Sequence, residues 1–325
     1  MLAEVAMWLD RRTSTAADWP VDKLLAAKGA TRVSVVLPAR NEQETVGTIV
    51  TAIRTELVER VPLVDEIVVI DSCSTDDTAA IATAAGAEVF TQDAVLPGLP
   101  RLSGKGEALW KSLAVTSGDL IVFVDADLRN FAPHFVSGLL GPLLTDPEVG
   151  YVKGCYDRPL ISEGGRVEGG GGRVTELVAR PLINLHWPQL AGVMQPLGGE
   201  YAGRRSLLER LPFVTGYGVE LGLLLDMLEI TGLDGLAQVD LGRRVHSHQS
   251  TEALGAMSSQ IMLTAWSRLE RHGRMLPLEA PATALTQFRR VGDGHDVRVS
   301  DVQVDERPPM IEVPDYAAGR RSLLT

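Results

Sequence analysis

The sequence predicts an α/β fold, a mostly parallel central sheet with flanking helices, joined to a smaller region of different character. Short, mostly apolar runs recur within 33–39, 66–72 and 119–127, the pattern of strands buried on both faces. Between them lie stretches long enough for a helix and patterned like one, so strands and helices alternate as in a βαβ series. The turn after the first run is PARNE, without the glycine fingerprint of dinucleotide-binding folds, and the GKG segment at 104–106 lacks Walker A spacing.

The run VSVVLPA (33–39) is the first strand, stopped by Pro38, and residues 42–58 read as its helix. EIVVIDS (66–72) is the second; Asp76 and Asp77 then supply the acidic first turn that complements a helix dipole. AEVFTQ (87–92) reads as a third strand, LPGLPRLSGKG as a loop whose glycines give flexible backbone, and EALWKSLAV (107–115) as the next helix. DLIVFVDAD (119–127) is the clearest strand. A helix around 135–144 leads to a further strand in VGYVKGCY (149–156). From about residue 162 the glycine-dense EGGRVEGGGGRVTEL predicts a mobile loop feeding a helix N-terminus at about 173–176. A helix at 218–229, a strand at 238–246 and a long helix at 251–272 follow. The tail, 297–313, alternates like edge strands that serve packing or dimer contacts.

A formal net charge of -11 excludes a general electrostatic grip on nucleic acid, though not a phosphorylated substrate held by a few local cations. Cys73 and Cys155 give no disulfide framework and fit a reducing compartment. No apolar run reaches spanning length, since LGLLLDMLEITGL is broken by Asp226 and Glu229, and MLAEVAMWLDRR is charged too early for a signal peptide. A soluble, cytoplasmic protein with neither membrane nor nucleic-acid partner is expected.

The chemistry concentrates at strand ends, where open α/β sheets bind ligands. Asp125 and Asp127 end the clearest strand, and two carboxylates one residue apart can present oxygens to one hard divalent cation. The plainer reading of such a pair is a turn or a helix cap. Pro38, Ala39, Arg40 and Glu42 follow the first strand; the backbone there can meet a base or ribose edge, and Glu42 can accept from ribose hydroxyls or simply begin a helix. Asp71 and Ser72 end the second strand, Ser72 as a base contact, Asp71 alternatively as an Asx-turn. Lys105 places a cation near a helix N-terminus, a fair place for a diphosphate. His246 and His248 close a strand-like segment and can complete a metal shell or be structural. Arg173 and Thr175 sit where the glycine loop meets a helix, so N–H groups, a hydroxyl and a guanidinium can converge on an anion.

In order, VSVVLPARNEQETVG, EIVVIDSCSTDDT and DLIVFVDADL resemble the GT-A class of nucleotide-sugar glycosyltransferases over about 32–127. RLSGKGEALWKSL, VKGCYDRPL, GGGGRVTELVARPL, GGEYAGRR and GYGVELGLLLD extend the likeness to about residue 272, and resemble the glucosyl-3-phosphoglycerate synthase family of actinobacterial type. The resemblance implies a GT-A fold, UDP-glucose as donor, 3-phosphoglycerate as acceptor, Mg²⁺ with Mn²⁺ as the alternative, retention of anomeric configuration, a homodimer, and a role in starting methylglucose lipopolysaccharide assembly. It implies a donor site of Pro38, Ala39, Arg40, Glu42, Ser72, Lys105, Asp125, Asp127 and Glu220, with Asp125, Asp127 and Glu220 as the catalytic set. The metal would lie on Asp127 and His246, and the acceptor on Gly172, Arg173, Thr175 and Tyr217. Arg40 stands where some relatives are expected to carry an apolar residue. The organisation expected is a helical N-terminal extension (1–30), a nucleotide-sugar-binding α/β domain (31–155) and an acceptor-binding and dimerisation region (156–325).

Other readings stay open on the residues alone. A sugar-phosphate nucleotidyltransferase shares the sheet but usually carries a glycine-rich, basic loop where PARNE stands. A polyprenyl-phosphate acceptor lacks support from any membrane segment, and a silent nucleotide-sugar sensor would not need the Asp125, Asp127 and His246 set. Spacing does not choose the sugar, the base or the metal.

Overall fold

The computed structural model describes residues 1–157, 160–162, 165–167, 172–244 and 250–324. Its centre is an eight-stranded sheet in the order Thr13–Thr15, Leu236–Arg243, Tyr151–Asp157, Tyr201–Arg204, Leu120–Phe123, Val33–Ala39, Glu66–Asp71, Glu88–Thr91. Neighbours run parallel except Tyr201–Arg204, which is antiparallel to the strands on both its sides.

The apolar runs have a direct cause. Along the first long strand Val33, Val35 and Leu37 enter one hydrophobic cluster while Val36 enters the other, and Val122 and Phe123 divide in the same way. Successive side chains point to opposite faces, so a strand covered on both sides is apolar at most positions, the buried Ser34 being held by donating its hydroxyl to Glu66. Ile49, Val50 and Ile53 of the helix Val46–Ile53 and Phe135 and Leu139 of His134–Thr145 cover the first face. Leu109 and Leu113 of Lys105–Val115, Leu221 and Leu225 of Val219–Thr231, and Ile261 of Thr251–Arg271 cover the second. Each fully buried Val or Leu contributes about 1.5–3 kcal/mol. Among the described residues no helix is long and apolar enough to cross a membrane.

Several boundaries differ from those expected, each for a physical reason. The helix expected at 42–58 begins at Val46, because Glu42 lies in a turn whose carbonyl accepts from the Thr45 and Val46 N–H groups. The boundary expected at 155 falls inside one continuous sheet, which takes the strands Thr13–Thr15, Tyr201–Arg204 and Leu236–Arg243 from outside 31–155. The tail does not line the edge of that sheet. Gly294–Asp301 pairs with Ala284–Val291 as a separate two-stranded ribbon, and Glu306–Arg307 pairs with Phe213–Val214.

Asp226, the charge that interrupts the apolar helix, is buried and receives Arg268 Nη2 at 2.6 Å and Nε at 3.0 Å. The pair ties Val219–Thr231 to Thr251–Arg271. Arg268 also pairs with Glu306, so Asp226→Ala leaves the buried guanidinium one carboxylate but no acceptor for Nε and Nη2, a loss of about 1–3 kcal/mol. Urea denaturation is expected to show a loss of that size; a change under 1 kcal/mol would mean the pair adds little.

Candidate active site

The strand Leu120–Phe123 stops short of the acidic pair, so Asp125 and Asp127 stand in the turn beyond it rather than within it. Val124, Ala126 and Leu128 point into the core, which turns the alternate residues Asp125 and Asp127 outward at the carboxyl edge. The buried Thr45 hydroxyl pins this turn by donating to the Ala126 carbonyl at 2.6 Å.

Both carboxylates converge on one positive centre. Arg244 Nη2 lies 2.5 Å from Asp125 Oδ2 and 3.2 Å from Asp127 Oδ1, with its Nε 3.2 Å from the carboxylate of the fully buried Glu200. An oxygen pair that brackets a single cationic group fits the hard-oxygen donor set of Mg²⁺ or Mn²⁺. Burial raises the Asp127 carboxyl above its usual range, Asp125 adds to this, and Arg244 opposes it. Burial alone would lower the Arg244 guanidinium, but Glu200, Tyr156, Asp125 and Asp127 outweigh it and raise it.

Lys105 is paired to Asp125 and, at 2.7 Å, to Glu220 Oε1. These two carboxylates outweigh burial and hold the Lys105 ammonium charged. Its flanking glycines are not there for flexibility, contrary to expectation. A Cβ on Gly104 would sit 2.3 Å from the Thr215 carbonyl oxygen, and one on Gly106 would sit 1.7 Å from that of Val214. Only bare backbone lets the Lys105 helix start against the segment that leads into the Glu220 helix.

Beyond the ends of the strands Val33–Ala39 and Glu66–Asp71 lies a cleft of about 350 Å³ whose lining includes Arg40, Ser72, Gln92, Arg101, Ser103 and Gly104. Asn41 bridges the two strand ends around it: its Oδ1 accepts from Thr75 N–H at 2.8 Å and its N–H donates to Ser74 Oγ at 2.9 Å. Asn41 has φ 58°, a left-handed conformation that asparagine tolerates. Asp71 accepts from the Ser74 N–H at 3.2 Å, the local turn role held open for it. Ala39 is buried, while Pro38 and Glu42 are half-buried.

Burial, then Asp127, Asp125 and Asp76, raises the Glu42 carboxyl from 4.5 to about 7. A raised acid favours its neutral form in the fold. Its cost to stability is absent below the unfolded value, grows between the two, and is complete above about 7. In chelator-treated protein Glu42→Gln is therefore expected to raise the unfolding free energy at pH 8.5 by about 1–2 kcal/mol after allowance for its partial exposure, and to do nothing at pH 4. Equal effects at both pH values would contradict it.

The remaining predicted residues occupy two helix starts. Gly172 has φ 76°, Arg173 is exposed, and Thr175 is buried. Tyr217 is 48% exposed just before Val219–Thr231, and its N–H donates to Gln260 Oε1 at 3.0 Å. Val174 packs in the same cluster as Val219 and Ile261, so both starts share one face of the sheet. His246 and His248 lie outside the described residues, as does the end of the strand expected at 238–246, which is observed as Leu236–Arg243. Among the described residues no three ligating groups gather as a metal site.

Sequence reading missed Arg244, Glu200, Gly199 and Lys153. A Cβ on Gly199 would lie 2.1 Å from Asp125 Oδ2, so this glycine forms the wall behind that carboxylate. Buried Lys153 donates to the neighbouring Gly198 carbonyl at 2.5 Å and lies 4.7 Å over the Tyr201 ring, and burial lowers its ammonium to about 7. The segments VKGCYDRPL and GGEYAGRR carried Lys153, Gly199 and Glu200, and Arg244 lies two residues before His246, but nothing in their spacing tied them to Asp125.

A mixed sheet with an acidic pair at its carboxyl edge, and a cleft beside the neighbouring strand ends, is the arrangement of a metal-dependent glycosyltransferase of GT-A fold. Residues 34–166 match the model of Glycosyl transferase family 2. The chain is 50% identical over 303 residues to glucosyl-3-phosphoglycerate synthase of Mycolicibacterium smegmatis, covering 93% of this chain and 97% of that protein. It therefore belongs to the glucosyl-3-phosphoglycerate synthase family. The Mycobacterium tuberculosis glucosyl-3-phosphoglycerate synthase, solved with Mn²⁺, UDP-glucose and phosphoglyceric acid, is 46% identical with a TM-score of 0.78, over 90% of this chain and 94% of that one. Mannosyl-3-phosphoglycerate synthase from Rubrobacter xylanophilus is 40% identical with a TM-score of 0.88, over 96% and 98%.

Proposed function

We infer that the chain transfers glucose from UDP-glucose to the 2-hydroxyl of 3-phosphoglycerate with a divalent metal, giving glucosyl-3-phosphoglycerate. The observation that carries this is the convergence of Asp125 and Asp127 on one positive centre, beside a Lys105 that bridges Asp125 to Glu220.

Asp127, with His246, is proposed to hold the metal, which when bound neutralises charge on the departing diphosphate. Asp125, fixed between Lys105, Arg244 and the Gly199 backbone, faces the donor's ribose or sugar. Glu220 accepts from glucose hydroxyls. Pro38, Ala39, Arg40, Glu42 and Ser72 line the nucleoside side. Gly172, Arg173, Thr175 and Tyr217 are proposed to hold the acceptor's phosphate and carboxylate through N–H groups, a hydroxyl and a guanidinium at a helix start. Fixing the acceptor hydroxyl beside the anomeric carbon supplies the proximity contribution.

Retention is proposed on the family likeness; with no carboxylate marked as a covalent nucleophile, it would proceed by front-face attack assisted by the leaving phosphate. Proton NMR of the product is expected to show the α-anomer, and a β-anomer would end this proposal. A homodimer is proposed on the family likeness, and sedimentation velocity showing only monomer would remove it.

The TM-score of 0.88 to a mannosyl-3-phosphoglycerate synthase favours one second reading, a mannosyl donor at the same site. Rates with UDP-glucose and with nucleotide-mannose donors, each with 3-phosphoglycerate, separate the two. Preference for glucose supports the first reading; preference for mannose replaces it.

A further inference from the structure

Ser72 lines the nucleotide-side cleft and is held in one hydrogen-bonding role. Its hydroxyl donates to Gln92 Oε1 at 2.9 Å. The Gln92 amide is not free to flip, because its Nε2 donates at 3.0 Å to the Leu102 carbonyl, which can only accept. Gln92 is 3% exposed, so water does not compete for its side chain, and its main-chain carbonyl accepts from buried Lys111 Nζ at 2.8 Å. Lys111 in turn lies 3.4 Å from the buried Glu107, which Arg307 pairs at 2.7 Å. A serine hydroxyl has one proton and two lone pairs. With the proton committed to Gln92, Ser72 offers the cleft only an acceptor.

We infer that Gln92 is a positioning residue that sets base specificity: by holding Ser72 as an acceptor, it selects a nucleobase presenting an N–H, as uracil does at N3, over one presenting a lone pair there, as cytosine does. This rests on reading the Ser72 cleft as the base site of a nucleotide-sugar donor. Two acceptors facing each other leave a desolvated lone pair unsatisfied, a mismatch that weakens binding about 10–100-fold.

The test is calorimetric titration of the full chain with UDP and with CDP in the presence of Mn²⁺, for the unmodified protein, Gln92→Leu, Ser72→Ala and the double variant. The unmodified chain is expected to bind UDP about 10–100-fold more tightly than CDP. Gln92→Leu frees the Ser72 hydroxyl to donate, so the ratio is expected to fall toward one, chiefly through tighter CDP binding. Ser72→Ala lowers the ratio by weakening UDP, and adding Gln92→Leu to it should change the ratio no further. A merely structural role for Gln92 would weaken both nucleotides alike and leave the ratio intact, which overturns the inference. A Gln92→Leu effect that persists in the Ser72→Ala background also overturns it. UDP binding without discrimination against CDP refutes the inference alone, whereas binding of neither nucleotide refutes the donor-site reading as well.

Discussion

Asp127→Asn is expected to lower kcat/KM about 10³-fold while leaving the fold intact. A metal at a departing phosphate contributes several kcal/mol of transition-state stabilisation; about 4 kcal/mol at 1.36 kcal/mol per decade gives that factor. The amide keeps the shape but loses the charge that a hard cation requires. The effect on stability runs the other way. Burial and Asp125 raise the Asp127 carboxyl, so its ionised form is disfavoured by the fold, and that cost is present above the unfolded value and absent below it. Arg244 keeps Asp125 and Glu200 as partners when the Asp127 charge is removed. The variant's Tm at neutral pH should therefore equal or slightly exceed that of the unmodified chain. EDTA should lower the activity of the unmodified protein by a similar factor and that of the variant far less. A variant that loses activity only because it melts earlier would contradict this account.

Gly199→Ala is expected to cost about 10²-fold in kcat/KM. The new methyl would stand 2.1 Å from Asp125 Oδ2 and 2.5 Å from its Cγ, closer than any side chain allows, so the carboxylate must turn away. Turning breaks its contacts with Lys105 and Arg244, and misplacement of a reacting group by about 1 Å carries a penalty of that order. Overpacking should also lower stability by about 1–3 kcal/mol. Gly98→Ala is the control, since a Cβ there meets nothing within 4 Å, and its activity should not change. Full activity in Gly199→Ala would show that the Asp125 position is not demanding.

Legibility in the sequence followed the range of the interactions. The central strands were readable because burial on both faces makes a run mostly apolar, a local signal, and Val33, Val35, Val36 and Leu37 divide between two cores as that implies. Tyr201–Arg204 was not readable: it is short, bordered by glycines and arginines, and exists because the strands on either side present unpaired edges. The acidic pair, Lys105 and Glu220 were each identified singly, and the fold brings Asp125, Lys105 and Glu220 together. Arg244 pairs with a carboxylate 119 residues away, and no spacing rule reaches that far. Gly104 and Gly106 illustrate the reverse case, a visible residue given the wrong reason, since tight contact and flexibility call for the same amino acid. The GT-A likeness named candidate site residues where periodicity alone gave only a sheet edge.

The most direct test is UDP release by the purified chain with UDP-glucose, 3-phosphoglycerate and Mg²⁺ or Mn²⁺, with acceptor and metal each omitted in turn. UDP should appear only when acceptor and metal are both present, in step with glucosyl-3-phosphoglycerate by mass. Release indifferent to 3-phosphoglycerate, or undiminished by EDTA, would contradict the account.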